Sequence, residues 1–125
     1  MSLILIVEPD RALGNIYSEA LNSVGYHTVV ASSAQTALHA IDENLPNLII
    51  LELELATHNG IEFLYELRSY IEWQSIPVLI LSQVTPNKSA KQPKAWGQLN
   101  VAGYLYKPST KLSNLIAKVG AIINE

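Results

Sequence analysis

No cysteine occurs among the 125 residues, which removes disulfides, thiolate metal sites and thiol nucleophiles and leaves no thiol redox chemistry to propose. Charge is scarce too: charged residues make up 15% of the chain against 49% hydrophobic ones, far from the composition of a disordered segment. Long apolar runs are also missing. The aliphatic run Leu3–Val7 meets Glu8 at once and is too short for a signal-peptide core or a membrane span, so a cytoplasmic protein with no membrane partner is expected. A basic surplus is absent as well, and a net charge of -3 argues against direct nucleic-acid binding, which needs a basic surface. Nucleotide binding and serine hydrolysis find no support. Neither G-x-G-x-x-G nor a P-loop follows the first aliphatic run, and Ser82 has no G-x-S-x-G turn or histidine base beside it.

What is present is an alternation. Leu3–Val7 is a continuous aliphatic run of the kind buried on both faces of a parallel sheet. Asp10 then opens a helical stretch with Leu13, Ile16, Tyr17, Ala20, Leu21 and Val24 on one stripe and Gly25 just past its end. The unit recurs as a strand over His27–Ala31 and a helix over Ser33–Asn44, with Ser33 as cap and Ala37, Leu38 and Ile41 inward. A third strand over Asn47–Leu51 leads through a loop to Gly60 and a helix carrying Ile61, Phe63, Leu64, Leu67 and Ile71. The fourth strand is Pro77–Leu81, and the fifth, Ala102–Tyr106, precedes a last helix over Leu112, Leu115, Ile116, Val119 and Ile122. Strands alternating with helices predict right-handed crossovers and a five-stranded parallel sheet with helices on both faces, a doubly wound, three-layer α/β/α fold of flavodoxin-like type. One domain over residues 1–125 fits the length. Between the fourth and fifth strands, Gln83–Asn100 contains Pro86, Pro93 and Gly97, so the fourth helix of the series is expected to be irregular or shortened, because an interior proline costs about 3 kcal/mol.

In open parallel sheets reactive groups gather at the carboxyl ends of the strands. Here those ends present Glu8, Glu52, Ser82 and Lys107: two carboxylates, a hydroxyl and an ammonium. The stretches LILIVEPD, LIILELELATHNG, PVLILSQ and GYLYKP carry these residues in order. In order and spacing they resemble the receiver domain of two-component response regulators, over essentially the whole chain. The resemblance implies a CheY-like fold of strand order 2-1-3-4-5 and a role in phosphorelay signalling as a regulatory binding module, not an enzyme. It makes Glu52 the equivalent of the phosphoacceptor, Glu8 and Asp10 the acidic pocket, and Ser82, Tyr104 and Lys107 the switch and phosphoryl-contact residues. It also implies a cis peptide before Pro108. The partners it implies are a histidine kinase, an output domain or another signalling protein, with a homodimer through the fourth and fifth strand–helix units as a further option.

The departures from the family pattern matter as much. Glu52 stands where the family has aspartate, and its extra methylene moves the carboxylate by about 1.5 Å, where a misplacement of about 1 Å can cost a hundredfold in rate. Pro9 takes the second place of the acidic pair, leaving Glu8 and Glu52 as the remaining metal ligands of a depleted Mg²⁺ site, so no cofactor is expected beyond weakly held magnesium. Asp10 stands where it caps the first helix, with an inward, ligand-like pose as the alternative. Gln83 replaces a small residue and is long enough to cover part of the pocket, while Ala56 replaces a common proline. Three roles for Glu52 stay open: a pair with Lys107 that imitates the phosphorylated state, a plain ion pair in a site that no longer switches, and true phosphotransfer with Mg²⁺ from a histidine kinase or small donor. A flavodoxin-like ligand binder or enzyme using the same crevice is a further alternative.

Other residues carry weaker signals. Lys88, Lys91 and Lys94 recur every three residues and read as a solvated face or an anionic-partner patch. His27, His39 and His58 lack the paired spacing of a metal site, and Trp73 and Trp96 either pack locally or anchor an interface.

Overall fold

A computed structural model describes residues 2–55, 59–85 and 97–124. Five parallel strands, β1 (Leu3–Val7), β2 (His27–Ala31), β3 (Leu48–Leu51), β4 (Val78–Ser82) and β5 (Val101–Tyr106), form one sheet in the order β2-β1-β3-β4-β5. The described helices are α1 (Arg11–Asn22), α2 (Ala34–Glu43), α3 (Gly60–Arg68) and α4 (Leu112–Ile123), with 3₁₀ turns at Ile71–Trp73 and Lys107–Ser109.

The aliphatic runs are continuous because both faces of the sheet are covered. Leu5, Val7, Ile49, Leu51, Val78 and Ile80 pack against α2 and α3 through Ala37, Ile41, Phe63, Leu64 and Leu67. Their neighbours Ile4, Ile6, Leu48, Ile50, Leu79 and Leu81 point the other way, onto Tyr17 and Leu21 of α1 and Leu115 and Val119 of α4. Alternation with period two therefore sorts one run of aliphatics into two cores. Each fully buried leucine or isoleucine stabilises the fold by roughly 1.5–3 kcal/mol.

The helix ends follow their caps. Asp10 Oδ1 accepts from Leu13 N at 3.1 Å, Ser33 and Thr36 form a capping box, and Asn59 Oδ1 accepts from Glu62 N at 2.8 Å. Gly25 supplies the left-handed φ of +103° that turns the chain from α1 into β2. The third helix is shorter than its apolar pattern predicts: it ends at Arg68, Tyr70 is extended, and Ile71 lies on the following turn, 81% exposed. Arg68 instead reaches across, donating to Trp73 O (2.8 Å), Leu99 O (2.7 Å) and Asn100 O (3.3 Å), and so holds the turn that enters β5. Burial draws its guanidinium below its ordinary pKa. Of the segment expected to be irregular, Gly97 and Gln98 are helical and Leu99 and Asn100 form a turn, with Asn100 N–H donating to Gly97 O at 3.4 Å and Asn100 at φ 54°. Pro86, Lys88, Lys91, Pro93, Lys94 and Trp96, like Ala56 and His58, lie outside the described residues.

Candidate functional site

Strand register sets the site. Val7 pairs with Leu51, so Glu8 and Glu52 follow side by side where β1 and β3 end. Glu52 N–H still donates to Val7 O at 3.0 Å, and Glu8 N–H to Ala31 O at 2.9 Å, which fixes both backbones as if the ladder continued. Ser82 pairs with Tyr106 at the end of β4 and β5, and Lys107 comes next. Four residues from four strand ends thus meet: Glu8, Glu52 and Ser82 are 3%, 2% and 0% exposed.

The lysine holds both carboxylates. Lys107 Nζ lies 2.6 Å from Glu8 Oε1 and 2.6 Å from Glu52 Oε1. Glu52 collects three more donors: Gln83 N–H at 3.1 Å on Oε1, and Glu54 N–H at 3.0 Å with the Ser82 hydroxyl on Oε2. A carboxylate has about four lone-pair positions, and here four donors fill them. Burial alone pushes the Glu52 pKa up, but the hydrogen bonds from Lys107, Ser82 and Glu54 N–H, with the Lys107 charge, outweigh it and leave the pKa below its ordinary value. Burial likewise pulls Lys107 down, and its bonds to Glu52 and Glu8 more than reverse this, so its pKa stands above the ordinary value.

From Glu52 the contacts run outward. The Ser82 hydroxyl donates to Glu52 and accepts from Val84 N–H at 3.0 Å, while the Tyr104 hydroxyl donates to Val84 O at 2.6 Å. Burial raises the Tyr104 pKa above its ordinary value. Gln83, expected to cover the pocket, gives Glu52 its backbone N–H and ties its side-chain amide to Glu54 Oε2 at 3.1 Å. The bonds from the Glu54 and Gln83 N–H groups were not foreseeable from residue types, because they depend on loop dihedrals.

Asp10 does not join the cluster. Its side chain caps α1, and only its N–H reaches the site, donating to Glu8 Oε2 at 3.0 Å. The Lys107–Pro108 peptide is trans, against the cis peptide that the resemblance implies; no described peptide is cis. Trans is the lower-energy form by about 0.5–1 kcal/mol, and it is the form in which Lys107 opens a 3₁₀ turn whose carbonyl accepts from Thr110 N–H at 3.2 Å. His27 and His39 are exposed on β2 and α2.

The residues present do not fit a magnesium ion. Mg²⁺ needs near-octahedral oxygen ligands at about 2.0–2.1 Å, yet every oxygen of Glu8 and Glu52 already accepts a hydrogen bond. Pro9 brings no ligand, and among the described residues no group of three His, Asp or Glu side chains is arranged to hold a metal.

Comparison with known proteins agrees with the fold. The family model of the response regulator receiver domain matches residues 4–120. The transcriptional regulatory protein CpxR of Klebsiella pneumoniae is 30% identical over 98% of this chain and 50% of its own length. The KDP operon transcriptional regulatory protein KdpE of Escherichia coli is 37% identical over 66% of this chain and 35% of its own. The chain thus spans half or less of the length of these relatives. Among solved structures, a two-component response regulator from Clostridium difficile superposes with a TM-score of 0.87 at 24% identity, covering 100% of this chain and 98% of that one. A chemotaxis response regulator of Vibrio cholerae gives 0.86 at 22%, covering 98% of each, and both likenesses speak to the fold.

Proposed function

The chain belongs to the response regulator receiver domain family, and we propose that it is a receiver whose signalling state is set without phosphorylation, Glu52 standing in for an acidic group acquired by transfer. One observation carries this reading: the Glu52 carboxylate is buried and its four acceptor positions are filled by Lys107, Gln83, Glu54 and Ser82. An oxygen that attacks phosphorus needs a free lone pair aligned at about 3–3.5 Å. Glu52 offers none without breaking a bond in the cluster.

The same bonds suit a built-in signal. A carboxylate carries less charge than a phosphoryl group, whose charge is about -1.5 to -2, but this one draws in the Ser82 hydroxyl, and through Val84 it is linked to Tyr104. The face carrying Val84 and Tyr104 is then held in one arrangement and is available to an output domain or another signalling protein.

Backbone amide NMR tests this. Glu52→Gln should shift the signals of Ser82, Val84 and Tyr104, whereas acetyl phosphate with Mg²⁺ should leave the unaltered protein's spectrum unchanged. Shifts of those signals on adding the phosphodonor would overturn the reading.

A further inference from the structure

We propose that the Lys107 ammonium is the resident cation of this site, occupying the space between Glu8 and Glu52 that a divalent ion would need and making the domain indifferent to divalent metals. The inference rests on the reading of Glu52 as a carboxylate that is not phosphorylated, and extends it from the acceptor to the charge balance around it.

The geometry of one ammonium and two carboxylates carries it. Lys107 Nζ lies 2.6 Å from an oxygen of each, and the three side chains are 15%, 4% and 2% exposed. Contacts of this length are charge-assisted hydrogen bonds, which are the strong ones. The second oxygen of Glu8 is bound by Asp10 N–H, and that of Glu52 by Ser82 and Glu54 N–H, so neither carboxylate can turn to a new ligand without losing a donor.

The lysine is also anchored from behind. It follows β5 directly and is succeeded by Pro108, and its carbonyl accepts from Thr110 N–H. The Thr110 hydroxyl donates to Tyr106 O at 2.7 Å, closing the same turn. A divalent ion would have to expel this ammonium and would find no third carboxylate, because Pro9 supplies none and Asp10 is spent on the α1 cap. Removing the lysine charge reverses the situation: two buried carboxylates are left with no cation between them, which favours uptake of a divalent ion.

The test is a Mn²⁺ titration of the unaltered protein without any phosphodonor, read by paramagnetic broadening of amide signals, alongside melting curves of Lys107→Met with and without millimolar Mg²⁺ or Ca²⁺. Signals of Glu8, Glu52 and Ser82 should stay sharp in the unaltered protein. The variant should melt lower and regain about 4 °C or more with the divalent ion. Site-specific broadening in the unaltered protein would overturn the proposal, as would a folded Lys107→Met that ignores divalent ions. Should that variant not fold alone, refolding on adding the ion supports the proposal, and failure to refold counts against it. Metal binding in this titration without any response to acetyl phosphate would sink this inference alone, whereas a phosphate adduct on Glu52 would sink the proposed function and, with it, the premise of this inference.

Discussion

Replacing Glu52 by glutamine keeps the outline of the side chain while removing its charge and one acceptor oxygen. The remaining oxygen can serve only one of the two donor pairs. With the carbonyl turned to Lys107 and Gln83 N–H, the new NH₂ faces Glu54 N–H and the Ser82 hydroxyl, which can rotate to accept while Glu54 N–H cannot. Breaking a buried ion pair from one side costs about 3–5 kcal/mol, and a stranded buried N–H about 1–3 kcal/mol. Glu8 still neutralises Lys107, so the first figure is reduced, and a net loss of about 3 kcal/mol is expected, or a fall of about 12 °C in Tm for a domain of this size. Urea unfolding followed by tryptophan fluorescence measures it, Trp73 being only 8% exposed. A loss below about 1 kcal/mol would refute the reasoning, because the four-donor arrangement would then hold no special stability.

Three other outcomes follow from the same geometry. Ser82→Ala removes a donor to Glu52 and strands Val84 N–H, so urea unfolding should show a loss of about 1–2 kcal/mol, with the Tyr104 amide signal shifting as well. Gly60→Ala should cost about 1–3 kcal/mol in the same assay, because a Cβ there would sit 2.7 Å from Leu53 Cα and 2.9 Å from Glu52 O, both backbone atoms that cannot swing aside. The pH dependence follows from the signs of the two shifts. Glu52 is lowered in the folded state, so its contribution is complete above its ordinary value of 4.5 and is lost as acid carries the pH down through the folded pKa. Lys107 is raised, so its contribution is complete below its ordinary 10.5 and is lost as pH rises through the folded value. Urea midpoints measured across the pH range should therefore form a plateau between these limits, and a midpoint that rises on acidification below 4.5 would contradict the assignment.

Much of this was legible in the residues. The aliphatic run Leu3–Val7 reads directly as β1, and Asp10, Ser33 and Gly25 mark helix ends because capping and left-handed turns demand those side chains. The convergence of Glu8, Glu52, Ser82 and Lys107 was legible because each stands at the carboxyl end of a strand in one parallel sheet. Boundaries slipped by one residue where the chain does something periodicity does not see. Asn47 is spent accepting Leu3 N–H through its side chain, and Pro77 offers only its carbonyl, to Ile49 N–H. Ile71 fits a helical stripe, yet Tyr70 leaves the helical region before it. The reach of Arg68 to three carbonyls, the donation of the Glu54 and Gln83 N–H groups and the trans form of Lys107–Pro108 all depend on loop conformation, for which residue type gives no rule.

The claim that Glu52 is a standing charge and not an acceptor is tested most directly by intact mass after incubation with acetyl phosphate and Mg²⁺. The account predicts an unchanged mass for the unaltered protein. A base-labile phosphate adduct that Glu52→Gln abolishes would contradict it.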